Sequence, residues 1–339
     1  MAETNMARKA GLRFTFWLAL CLGQPLLPVY AQINSAHYLV GTEGILAGSL
    51  PPPGVYFDDL NWYGTSSTIV SLVNFPNVGQ NYQVTTYVNQ PRLRWMTPFR
   101  LLGADYGMEI MVPWIRQQRQ LVPTLSFVSI PFYLPGYLVD QSEFEDVEIS
   151  PLLLAWHLKQ FDITAGYAFW VPTGNNQFDN VRHSVIDPYL SVPPPQFHWW
   201  ENMITFGGTW YPDTRHQWAV SALTHYEISQ AFDSTAGATE YGQVFIAEWG
   251  LSRAAGKYIA LGLVGNYSQQ TTATHNNFGG TEYTVYSGAP LELGPEIRVT
   301  VPQCGFSASF RYLHEMLHDG GNDGQYYPDV LALTLTQRF

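Results

Sequence analysis

The chain has 339 residues; 46% are hydrophobic, 15% aromatic and only 13% charged. That charge fraction is about half the roughly 25% of soluble proteins, too little to cover a water-facing surface, whereas lipid covers the outer wall of a membrane β-barrel. A formal net charge of −11 argues against nucleic acid as a partner, because phosphate contacts need clustered Lys and Arg.

In chain order, Arg8, Lys9 and Arg13 precede the apolar run Phe14–Leu22, and Val29-Tyr30-Ala31 offers a cleavage site before Gln32. This pattern predicts a secretory signal peptide over 1–31. The apolar run is shorter than the roughly 20 residues of a spanning helix, and Pro25 and Pro28 follow it. Cys21 leaves with the peptide, so the mature chain keeps Cys304 as its single thiol and forms no internal disulfide. No later stretch approaches the roughly 18 consecutive apolar residues of a candidate helical span.

Residues 32–53 form a separate segment that ends in Pro51-Pro52-Pro53, a stiff joint that cannot enter a sheet ladder. Two readings fit it: a hatch folded into a lumen with the prolines as its hinge, or a periplasmic tail.

From residue 54 to 339 period-two alternation dominates. Phe161, Ile163, Ala165, Tyr167, Phe169 and Val171 share one face of a strand, against Asp162, Thr164, Gly166, Ala168 and Trp170. Leu291, Leu293, Ile297, Val299 and Val301 alternate with Glu292, Gly294, Glu296, Arg298 and Thr300. Phe306, Ala308, Phe310 and Tyr312 alternate with Ser307, Ser309 and Arg311. The whole reads as strands near 54–63, 82–96, 101–118, 145–158, 161–173, 198–211, 216–228, 241–254, 257–269, 289–301, 306–316 and 328–339. Short links near 97–100, 159–160, 212–215, 255–256 and 302–305 alternate with long ones at 64–81, 119–144, 174–197, 229–240, 270–288 and 317–327. Short periplasmic turns and long extracellular loops are the outer-membrane pattern. The expected fold is all-β, one antiparallel transmembrane barrel of about twelve strands with both termini in the periplasm. The segment 119–144 admits a strand extension, an extra hairpin or a lumen-folded loop. Trp62, Tyr63, Trp95, Trp114, Trp199, Trp200, Trp210 and Tyr211 are candidates for interfacial girdles. Leu331, Leu333 and Leu335 share a face with Phe339, a terminal aromatic of the kind that barrel-assembly machinery reads.

With the apolar face toward lipid, the inward acids are Asp105, Glu109, Glu148, Asp162, Glu201, Glu227, Glu248, Glu292 and Glu296, and the inward bases Arg92, Arg94, Arg298 and Arg311. They form either a permeation lining or a salt-bridged filling. Arg92 is expected opposite Asp105 across the turn at 97–100. His225 faces inward near Glu227, and Trp156 and Trp170 are placed as lumen aromatics with Pro113 and Pro172. His314-Glu315-Met316-Leu317-His318 has the spacing of a zinc-protease motif, but that chemistry needs a helix. In a strand the two histidines stand about 13 Å apart, so no metal is expected.

Several stretches carry a family likeness: HYLVGTEGILAGSLPPPGVYF at 37–57, VNQPRLRWMT at 88–97 with LLGADYGMEIMVP at 101–113, and DVEISPLLLAWHLKQFDITAGYAFWVPTG at 146–174. LGPEIRV at 293–299 and the terminal TQRF add a sparser match. The chain resembles the outer-membrane proteins associated with the meta-pathway of phenol degradation, which look distantly similar to long-chain fatty-acid channels. The resemblance implies a Gram-negative outer membrane, contact with its lipid, and passage of small hydrophobic or aromatic solutes; passive uptake of this kind needs no cofactor and no catalytic residue. Alternatives from other classes are a lipid-modifying hydrolase of the outer membrane and a structural or adhesive barrel.

Overall fold

The computed structural model describes residues 36–339 except 73–74, 128–129, 134–136, 175–198, 231, 235–236, 279–280, 286–288 and 320–328. The expected signal peptide therefore lies outside the described residues, as does most of the link expected at 174–197.

A 3-10 turn at Gly44–Leu46 precedes the strands β1 Gly54–Leu72, β2 Phe75–Leu101, β3 Ala104–Met111, β4 Trp114–Phe127, β5 Ile130–Tyr133, β6 Tyr137–Phe144, β7 Val147–His157, β8 Phe161–Val171, β9 Glu201–Trp210 and β10 Trp218–Ser229. There follow β11 Phe232–Ser234, β12 Gly237–Glu240, β13 Val244–Ala254, β14 Ile259–Gln270, β15 Thr274–Phe278, β16 Thr281–Val285, β17 Ala289–Val301, β18 Phe306–Asp319 and β19 Asp329–Arg338. Twelve of them close an antiparallel ring in the order β1, β19, β18, β17, β14, β13, β10, β9, β8, β7, β3, β2, and β2 returns to β1. Closure satisfies every ladder within the wall, which is what a strand structure needs to stand in lipid. The Phe339 N–H donates to the Val55 carbonyl at 2.9 Å, so the C-terminal strand ends beside the start of β1.

The outer face is apolar to a degree no water-facing sheet tolerates. Leu93, Trp95, Ile110, Ile204, Phe206, Trp210, Leu251, Leu261, Leu263, Ile297, Phe310 and Leu333 are all exposed. On the same strands the inward neighbours Arg92, Arg94, Glu109, Glu248, Glu296 and Arg311 are buried. Alternation with a period of two thus separates a lipid face from a charged interior.

Several expected boundaries move. The link at 64–81 is largely strand, because β1 and β2 pair from Gly54↔Met96 up to Ser71↔Gly79; at 119–144, where the sequence admits a strand extension or an extra hairpin, β4 runs on to Phe127 and β5 and β6 follow. Above Asn89, β2 changes partner from β3 to β4, and β4 pairs with β6. β3–β4 and β6–β7 are two long strands, interrupted at Val112-Pro113 and at Glu145-Asp146. Proline has no N–H to give the ladder. The links 229–240 and 270–288 contribute β11, β12, β15 and β16, a separate four-stranded sheet. The first tight turn lies at Leu102-Gly103, both at positive φ (53° and 79°), not at 97–100. The HEXXH run sits inside β18, a strand rather than a helix, and His314 hydrogen-bonds Asp329 (3.0 Å).

Candidate functional site in the barrel lumen

Residues 36–50 run along the inner wall, and the inward acids meet them. Tyr38 N–H donates to Glu227 Oε1 at 2.7 Å. Gly41 and Thr42 N–H donate to Glu248 Oε1 at 2.7 and 3.1 Å, and Glu43 N–H to its Oε2 at 3.0 Å. Ile45 N–H donates to Glu296 Oε2 at 3.0 Å. In return Arg311 Nη1 donates to the Gly41 and Thr42 carbonyls at 2.7 and 2.5 Å. A short coil cannot satisfy its own backbone, and buried backbone groups left unpaired are costly. The barrel supplies the missing partners from side chains more than 180 residues away.

The two ends of this stretch are held differently. His37 bonds Glu201 through Nδ1 and Asp146 through Nε2, and its ring lies 5.4 Å from Trp170 and 4.7 Å from Trp199. Burial pulls the His37 pKa down, but attraction to Glu201 and hydrogen bonds to Asp146 and Glu201 outweigh it, raising the value to about 9. At the other end Ser49 Oγ donates to Asp162 Oδ2 (2.9 Å) and lies within hydrogen-bond distance of Thr209 Oγ1 (2.7 Å), and Gly48 N–H donates to Ser221 Oγ (2.7 Å). Between them Ile45, 0% exposed, enters an apolar cluster with Leu60, Trp62, Val88, Ile115, Val264, Leu313 and Val330. The backbone comes so close that a Cβ on Gly250 would stand 2.6 Å from Ile45 Cα, and one on Gly48 2.3 Å from the Gly208 carbonyl oxygen. At Gly250 and Gly208 the wall is thinned to backbone.

Charged pairs occupy the remaining interior. Arg92 donates to Glu43 Oε1 at 2.6 Å and Asp58 Oδ2 at 3.2 Å, and Arg94 to Glu109 Oε2 at 2.5 Å. Burial favours the neutral form of Glu43, yet Arg92 and Arg94 prevail and lower its pKa to about 2. Glu148 is buried and accepts from Ser150; Glu292 accepts from Asn266 at 2.8 Å. Arg298 lies 3.3 Å from Glu296. His225 is buried, with Nδ1 2.9 Å from Thr205 Oγ1 and its ring 4.1 Å from Tyr38. Pro51-Pro52-Pro53 joins this segment to β1; Tyr56 donates to the Pro52 carbonyl and Arg338 to that of Pro53.

Three placements differ from the sequence reading. Arg92 stands opposite Met111, and Asp105 pairs with Arg100 at 3.1 Å, because the turn is later than expected and a bulge lies between Met96 and Arg100. Trp156 faces outward: one extra residue in β7 between Ile149 and Leu153, seen in its register against both β8 and β3, reverses the parity of the rest of the strand. His157 takes the inward place and meets Asp162 at 2.9 Å. Among the girdle candidates, Trp62 and Trp199 are buried inside, and Tyr211 turns in to donate to Asp162 at 2.8 Å. Trp95, Trp200 and Trp210 remain exposed. The alternation reading also missed Asp59, Asn61, Tyr87 and Asn89, a hydrogen-bonded polar patch on the outer side of β1 and β2. Its signal was the Asp58-Asp59 doublet, which puts one acid on each face.

The family model described as "Putative MetA-pathway of phenol degradation" matches residues 65–316. The chain belongs to this family. Among solved structures, an outer membrane channel from Pseudomonas putida F1 aligns over 86% of this chain and 97% of its own, with 12% identity and a TM-score of 0.57. The β domain of the Bordetella autotransporter BrkA covers 84% of this chain and 100% of its own at 9% identity and TM-score 0.42. A FadL homologue from Pseudomonas aeruginosa covers 94% and 96% at 8% identity and TM-score 0.35. No curated protein matches the sequence. With its lipid-facing belt and closed twelve-strand ring, this member of the phenol-degradation family is a β-barrel of the Gram-negative outer membrane.

Proposed function

We propose that the protein is an outer-membrane channel for passive uptake of small hydrophobic solutes, including aromatic ones, with residues 32–50 as its hatch and Pro51-Pro52-Pro53 as the hinge. The observation that carries this reading is the mode of attachment. Residues 36–50 are held by hydrogen bonds, ion pairs and apolar contacts, all reversible, rather than by being a wall strand. A structural filling would not need a separate segment whose removal leaves the ladder intact. Family membership supports the solute class, and the likeness to a solved outer membrane channel supports the fold. Insertion through the barrel-assembly machinery by way of Phe339 belongs to the same reading. Uptake of this kind uses no cofactor and no catalytic group. The test is flux of phenol into liposomes carrying the purified protein. Uptake above that of protein-free liposomes is expected; the same rate with and without protein would refute it.

A further inference from the structure

Between residues 42–52 and the end of the barrel where Phe339 meets Val55 lies a cavity of about 590 Å³. Its walls are not matched in charge. On one side Arg92 and Arg94 face Glu43, Asp58 and Glu109, and Asp162 faces His157. On the side of β17–β19 stand three guanidinium groups, of which two share one carboxylate. Arg298 Nη2 is 3.3 Å from Glu296 Oε1 and Arg311 Nε 3.4 Å from its Oε2, the same oxygen that accepts the Ile45 N–H. Arg338 has no carboxylate within ion-pair distance among the described residues; it donates to the Pro53 carbonyl at 3.0 Å and lies 5.7 Å over the Tyr56 ring. Thr300, Ser307 and Thr336 add hydroxyls to this wall, while Leu50, Pro52, Tyr56 and Phe306 line the cavity with apolar surface. In a chain of net charge −11, an excess of cations at one wall marks a place for an anion.

We propose that this vestibule binds an amphipathic organic monoanion, an arene or short alkyl group bearing one carboxylate. The carboxylate lies at the Arg298–Arg338 wall and the apolar body against Leu50, Pro52 and Tyr56. This rests on the channel reading and narrows its solutes to those carrying an acid group. Guanidinium forks suit carboxylates, and the cavity falls in the roughly 300–1,000 Å³ range of small-molecule sites.

The test is calorimetric titration of the purified full-length protein with benzoate, benzyl alcohol and benzylammonium, which share a ring and differ in charge. Benzoate should bind at least about tenfold more tightly than either of the others, an advantage of about 1.4 kcal/mol, and should weaken as salt is raised. The R298Q/R338Q variant, checked for heat-dependent gel migration, should lose about tenfold in benzoate affinity and keep its benzyl alcohol affinity. R298Q alone serves if the double variant fails to assemble. Equal affinity of the parent protein for all three ligands, or unchanged benzoate affinity in a folded variant, would overturn the proposal. Phenol flux in liposomes is measured alongside. Flux without benzoate preference removes the vestibule site and leaves the channel; benzoate binding without flux removes the channel, and with it the transport role of the site.

Discussion

Glu248 accepts three backbone N–H groups from Gly41, Thr42 and Glu43. Glu248→Ala strands those donors, and an unmade buried hydrogen bond costs about 1–3 kcal/mol. The expected result is more frequent opening in single-channel recordings, with a smaller effect for Glu248→Gln, which keeps one carbonyl acceptor. Identical opening in parent and Ala variant would mean the contacts do not hold the segment. Two other side chains give the docking a pH dependence. His37, raised to about 9, contributes fully below its ordinary value of about 6.5 and loses that contribution as pH rises through about 9. Glu43, lowered to about 2, contributes fully above its ordinary value of about 4.3 and loses it as pH falls through about 2. Protease cleavage within 36–50 should therefore be slowest near pH 5–6 and faster toward pH 9, and His37→Gln should flatten the alkaline limb. A cleavage rate level from pH 6 to 9 in the parent would contradict this. Which residues point inward was legible at most positions. Their partners were not, because Glu248 and Gly41 lie 207 residues apart and no local pattern joins them.

Among the strands, parity was readable only where the ladder is regular. β17 and β18 kept the faces their alternation gave: Phe310 pairs with Ile297 and Leu333, all exposed to lipid, and Ser309 is buried. In β7 one bulge exchanged Trp156 for His157, since an extra residue reverses every later side chain. Two substitutions test the assignment. Phe310→Arg should destabilise the barrel by about 2–4 kcal/mol in urea unfolding from lipid, whereas Ser309→Arg should act chiefly on the interior. Equal losses for both would refute the facing of β18. Gly294 is unsuitable as an inward control, because any Cβ there would stand 1.7 Å from the Tyr312 carbonyl oxygen. Gly250 offers a second test. Gly250→Val should push Ile45 off the wall and raise conductance while heat-dependent migration is kept; unaltered conductance would mean that the close approach is not needed for closure.

The molecule as a whole was the most legible part. Low charge, alternation and the block 146–174 pointed to a barrel, and the twelve-strand ring follows from them. What stayed hidden was vertical extent: β1 and β2 continue well beyond the expected strand ends, because the polar run Gly64–Thr68 has no alternation to mark a strand. The interior was hidden too. Residues 36–50 lack any repeating pattern, so the wall contacts that support the proposed hatch had no signal in the sequence. Deleting 32–50 while retaining 1–31 and the prolines tests this directly, by single-channel recording of deletion and parent in the same bilayer. A barrel closed by this segment should assemble without it, shift with heat on gels, and pass a larger nonspecific current. Matching conductances in a folded deletion would contradict closure by residues 32–50.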